Sequence, residues 1–198
     1  MSNARVILTL LDDLARVAAD TTAEQYALPT PCDGFDVRRL RRHLTGGLTY
    51  FDAAFGDPGA EERAADPHAY SGPDQLEAVL PRLSATLRSA PAAGVETTIV
   101  NVPHLGGAFP GAVVLDMLLI EVITHGWDMA TAAGLPWKPD EATCERALAF
   151  YRATLKPEWR GPGMAFGPEH AVSPDASPVE RVVAFAGRDP GWSPATHR

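Results

Sequence analysis

Apolar residues recur along most of this chain with the period of an α-helix. Val6, Leu10, Leu14 and Val17, spaced four, four and three apart, predict an amphipathic helix over about 4–19. A Thr- and Pro-bearing loop follows and ends in Thr30-Pro31-Cys32-Asp33-Gly34-Phe35-Asp36. Asp36 is suited to cap a second helix, whose apolar stripe is Val37, Leu40, Leu44, Leu48, Phe51 and Phe55. Gly46 and Gly47 lie inside it; they weaken the helix by propensity and would let another helix or a ligand approach closely. After a polar loop over 56–72, Leu76, Leu80, Leu83 and Leu87 mark a third helix, which Pro81 should kink. Residues 97–102 form a β-leaning run, read as a minor strand or an extended loop. Pro110-Gly111 opens the longest helix, over about 111–133, with Gly134 and Pro136 as stop signals. Asp140 caps a fifth helix, over about 141–155. A long loop over 156–176 then leads to Ser177-Pro178-Val179-Glu180, a capping box that starts a short final helix ending at Gly187. The expectation is an all-α fold with short additional helices and long loops.

The longest apolar stretch, near Ala112 to Ala133, contains Asp116, Glu121, His125 and Asp128, which excludes a membrane span. The first apolar run, from Val6 to Leu11, is too short and wrongly flanked for a signal peptide, so a cytoplasmic protein is expected. With 198 residues the chain fits one domain and can bury a core without staples. A net charge of −8 argues against nucleic acid or an anionic membrane as partner. Two cysteines, Cys32 and Cys144, exclude a disulfide scaffold and a Cys-only zinc site.

Candidate chemistry concentrates on the fourth helix. At about 100° per residue, Glu121 and His125 lie about 40° apart around the axis, and Asp128 about 20° from Glu121. Three polar, metal-competent side chains thus line one stripe of a largely apolar helix. Burying a carboxylate is costly unless it is paired or binds a cation. The stripe is therefore either a polar seam, with His125 bonded to Glu121 or Asp128, or part of a metal site. His43 borders the buried stripe of the second helix. Alone it reads as a satisfied core histidine. Facing an inward Glu-x-x-x-His, it could complete a set of two imidazoles and one carboxylate. Such a set suits zinc with a position left for water or substrate, and also non-haem Fe(II). Asp128 would then hold the tautomer of a ligand imidazole.

Other residues carry less. Arg38, Arg39, Arg41 and Arg42 read as a solvated face with local ion pairs, or alternatively as a carboxylate-binding cluster. Cys32 precedes a helix N-terminus, which lowers a thiol pKa, but a small buried side chain is the plainer reading. His104 is a candidate loop ligand, whereas His68, His170 and His197 read as surface residues. Trp127, Trp137, Trp159 and Trp192 read as packing residues.

The segment from Thr30 to Leu40, followed by His43-Leu44 and Gly46-Gly47, resembles the N-terminal signature of actinobacterial DinB-like metal-binding proteins. That group includes the N-terminal domain of mycothiol-dependent maleylpyruvate isomerase. Phe35 stands where the family usually has Trp. Glu121-Val122-x-x-His125-Gly126-Trp127-Asp128 is similar to its second signature, and Gly187-Arg188-Asp189-Pro190-Gly191-Trp192 to the tail of its short members. The resemblance implies a DinB-like four-helix bundle as a single domain over 1–198, with 156–198 as a loop, short helix and tail. It implies a divalent metal (zinc, or another such as Ni or Fe) on His43, Glu121 and His125. It also implies mycothiol as a cosubstrate, with a small-molecule electrophile as the other partner and Arg188 as a partner for anionic groups, or else a surface salt bridge. The isomerase has a second domain for which 198 residues leave no room, so isomerisation itself is not carried over. Three functions follow as expectations: a mycothiol S-transferase, another metalloenzyme (zinc hydrolase or Fe(II) oxygenase), or a non-catalytic metal-binding bundle. Whether the chain works alone or as a homodimer is left open.

Overall fold

The computed structural model describes residues 3–61, 69–90, 94–161 and 164–194. Six helices carry it: α1 (Asn3–Asp20), α2 (Val37–Gly56), α3 (Leu76–Ser89), α4 (Gly111–Ala133), α5 (Glu141–Thr154) and α6 (Pro178–Phe185). The architecture is mainly α. Helix starts follow the local chemistry of the sequence. Asp36 accepts a hydrogen bond from the Arg39 amide at 2.7 Å, and Asp140 one from the Thr143 amide at 2.8 Å. The Ser177–Glu180 capping box forms with both of its bonds. Gly134 ends α4 in the left-handed conformation, φ 70°, which its missing Cβ makes inexpensive.

Four helices form a closed cycle of neighbours: α1 packs on α3 and α4, and α2 packs on the same two. Their buried faces supply Ile7, Leu11 and Leu14 from α1, Leu40, Leu44 and Leu48 from α2, Leu76, Leu83 and Leu87 from α3, and Leu115, Leu118 and Val122 from α4. The buried stripe of α1 runs through Ile7, with Val6 on its flank, a shift of one position from the expected set. Helix α5 packs on α4 and α6, and α6 reaches α4 as well. Pro81 sits within α3 on its exposed side.

A two-stranded hairpin precedes α4. Strand β1 (Ile99–Val102) runs antiparallel to β2 (Gly107–Pro110), pairing Ile99 with Pro110 and Val102 with Gly107. The β-leaning run is thus a strand. Its partner, made of Gly, Ala, Phe and Pro, has little strand propensity of its own and was not anticipated.

The arginine cluster is not a uniformly solvated face. Arg38 and Arg39 are exposed, but Arg41 is only 1% exposed. Its guanidinium donates to Asp74 at 2.5 Å, to Glu77, and to the Ala18 carbonyl at 3.2 Å. One side chain of α2 therefore holds the start of α3 and the end of α1. Arg42 donates to the carbonyls of Ser71 and Gly72. Arg41→Ala should lower unfolding free energy by about 2 kcal/mol, given that both carboxylates retain some solvent access. The urea midpoint measures it; Arg38→Ala should leave that midpoint unmoved.

Candidate metal centre

The loop before α2 closes on itself. Val37 N–H donates to the Leu28 carbonyl, and Thr30 N–H and Oγ1 both bond the Phe35 carbonyl. Gly34, at φ 74°, makes the tight turn inside it. This closure seats the Phe35 ring edge-on to the His43 imidazole, with centroids 5.6 Å apart. The Arg39 guanidinium lies over the Phe35 ring, 4.4 Å from its centroid.

His43 on α2 and Glu121 and His125 on α4 meet where these helices pack. His43 Nε2 is 3.2 Å from Glu121 Oε1, and His125 Nε2 is 3.8 Å from Glu121 Oε2. One ligand atom from each of the three lies within 4.8 Å of the others. The two imidazole rings stand nearly perpendicular, centroids 4.9 Å apart. Gly47 explains the room for the carboxylate: a Cβ built there would lie 3.0 Å from Glu121 Oε1. Gly46 serves a different neighbour, since a Cβ on it would meet Tyr70 at 2.5 Å. His43 and Glu121 are partly buried, and His125 is buried.

Protonation states follow from the surroundings. Burial disfavours a charge on His43, but the Glu121 carboxylate and its hydrogen bond outweigh this and raise the imidazole's pKa above its usual value. Asp128 is completely buried. Burial alone would raise its pKa, but Arg188 and His125 overcome that, hold it below the usual carboxylate range and keep it ionised. Asp128 Oδ2 accepts from His125 Nδ1 at 2.9 Å, so the imidazole carries its proton on Nδ1 and turns Nε2 toward Glu121.

Arg188 is not a surface residue. It is 5% exposed, and all three of its nitrogens have protein partners. Nε and Nη2 reach the two Asp128 oxygens at 3.4 and 3.3 Å, Nη1 donates to the Ala186 carbonyl at 3.1 Å, and Nη2 approaches Cys32 Sγ at 3.2 Å. Cys32 itself has its thiol pushed up to about 12 by burial, against the opposing pull of Arg188. It is no activated nucleophile, despite its place before a helix start. Cys32, His125 and Asp128 also form a group of metal-competent atoms within 4.8 Å, but the Arg188 guanidinium already contacts two of them.

The remaining candidates lie elsewhere. His104 stands edge-on to Tyr50, centroids 4.7 Å apart, and belongs to neither group of metal-competent residues found among the described residues. His170 is partly buried, its amide bonded to the Ala184 carbonyl; His68 and His197 lie outside the described residues. Trp127 and Trp137 are buried, and Trp137 Nε1 donates to the Ile123 carbonyl at 3.1 Å. Trp192 is partly buried, but Trp159 is 45% exposed with the Lys156 ammonium over its ring, so it is not core. No helix among the described residues is long and apolar enough to cross a membrane.

A carboxylate held between two imidazoles of facing helices defines a mainly helical protein with a candidate metal centre. The chain belongs to the family of the mycothiol maleylpyruvate isomerase N-terminal domain, whose model matches residues 7–130. Two proteins of Mycobacterium tuberculosis are similar to it: the uncharacterized proteins Rv0738 of strain H37Rv and MT0763 of strain CDC 1551 / Oshkosh. Each is 30% identical over 178 residues, covering 89% of this chain and 92% of the relative. No solved structure shows significant similarity.

Proposed function

We propose that this protein is a DinB-like four-helix bundle that binds one divalent metal, zinc foremost, and transfers the thiol mycothiol to a small electrophile. The observation that carries the reading is the convergence of His43 Nε2 and His125 Nε2 on the Glu121 carboxylate from two facing helices. The donor set fits a divalent metal. Two neutral imidazoles and one carboxylate leave net positive charge on the ion and a coordination position free of protein, as catalytic sites do. The family's name supplies the particular thiol.

A divalent metal bound there would lower the pKa of a coordinated thiol, so that a thiolate exists at neutral pH. The chain's own residues do the rest. Glu121, His43 and His125 would hold the ion. Phe35 walls one side of His43, and reactants would approach from the side of the partly buried His43 and Glu121. The described residues offer no Cys activated as a nucleophile, which favours an external thiol over a protein one. In the transfer a C–S bond forms as the bond from carbon to its leaving group breaks, and the thiol proton goes to solvent.

The test is to incubate zinc-loaded protein with mycothiol and monochlorobimane, then follow the S-conjugate and released chloride by mass spectrometry and ion chromatography. The expected result is conjugation faster than with the His125→Ala protein. Equal rates across a panel of electrophiles would leave a binding role.

A further inference from the structure

We infer that Arg188 is a positioning residue for the candidate metal centre, acting through Asp128 on His125, so that the segment following α6 completes a site whose proposed ligands lie on α2 and α4. The metal-affinity part of this inference rests on the reading above; the orientation of His125 does not.

The route is short and continuous. Asp128 is buried with both carboxylate oxygens engaged by one guanidinium, and Oδ2 is shared with His125 Nδ1. The carboxylate is therefore pinned from one side by Arg188 while it pins the imidazole from the other. With Asp128 Oδ2 on Nδ1 at 2.9 Å, the ring has its Nε2 on the Glu121 side, 3.8 Å from Oε2. Arg188 is in turn fixed by its backbone: its amide donates to the Val183 carbonyl at 2.9 Å. Gly187, at φ 84°, packs its backbone directly on Gly167, where a Cβ would come within 2.5 Å of the Gly167 carbonyl oxygen. Residue 188 lies beyond the stretch 7–130 that matches the family. That stretch contains His43, Glu121, His125 and Asp128, but not the cation that holds Asp128.

A purely structural role makes a different prediction. It predicts lost stability alone, because removing one partner of a buried ion pair leaves the other charge uncompensated. In a variant that stays folded, a positioning role predicts in addition an imidazole freed to change tautomer and rotate. The experiment compares wild type with Arg188→Met, Arg188→Gln and Arg188→Lys. Imidazole nitrogen chemical shifts of the metal-free protein report the His125 tautomer, and competition with a chromophoric chelator reports zinc affinity. Wild type should show a single Nδ1–H tautomer. Arg188→Met should show mixed tautomers and zinc affinity weakened roughly 10–100-fold, and Arg188→Lys should recover most of both. Should Arg188→Met fail to fold, Arg188→Gln, near in size and able to hydrogen-bond, takes its place in the same comparison. A folded neutral variant with the wild-type tautomer and wild-type zinc affinity would overturn the inference. If wild type takes up no zinc, loss of the tautomer in the variants still upholds the positioning role, and only the metal reading fails.

Discussion

Alanine at His43, Glu121 or His125 should each leave purified protein largely free of metal, while the helical content stays at the wild-type level. In the proposed centre each side chain supplies one of three protein donors, so its removal should weaken zinc binding by more than the roughly 100-fold that a group behind a ligand is worth. The fold should persist because none of the three belongs to the apolar core, which draws on all six helices and β1. Elemental analysis of protein purified without a histidine tag measures the first point and circular dichroism the second. Chelation of the wild type should likewise lower its thermal midpoint modestly without unfolding it, as expected for a ligand that binds only the native state. Full metal retained by His43→Ala, with loss in His104→Ala, would move the centre to the hairpin.

Gly111→Ala should be the most destabilising glycine-to-alanine change among the described residues. A Cβ at this position would lie 1.9 Å from the Val95 carbonyl oxygen and 3.3 Å from that of Thr98. Both are backbone atoms and cannot rotate away as a side chain would. Separating them requires moving the turn at 94–98, whose carbonyls accept the Gly111 and Ala112 amides at 2.8 and 3.1 Å. Alanine's helical advantage over glycine, at most about 1 kcal/mol, works in the opposite direction. The clash should win by about 3 kcal/mol, seen as a lower urea midpoint. Gly56→Ala, with open space around its Cβ, is the control and should move the midpoint little or upward. An unshifted midpoint for Gly111→Ala would mean that the turn yields freely.

What the sequence made legible was whatever is decided within one helical turn. Asp36, Asp140 and Ser177 cap the helices they precede because a side-chain oxygen and an amide three residues on are already neighbours. Glu121, His125 and Asp128 share a stripe because helical geometry puts them there. Arg41 was misread for the opposite reason. Its sequence neighbours are arginines, and nothing local says that Asp74 and Glu77, more than thirty residues away, come to meet it. Gly107–Pro110 became a strand only because β1 lies beside it. For Cys32 the plainer reading of a small buried side chain agrees with a thiol dominated by burial rather than by the nearby helix start. The limit that applied to Arg41 also hid the partner of Asp128, which sits 60 residues further along the chain.

That separation has a consequence for biosynthesis. A nascent chain extended through α5 already carries His43, Glu121, His125 and Asp128, but the cation that neutralises Asp128 has not yet been made. Until residue 188 emerges, the carboxylate must either remain hydrated, which keeps α4 from seating fully, or bind a proton. The hydrogen bonds around the candidate centre are therefore complete only after α6 has docked.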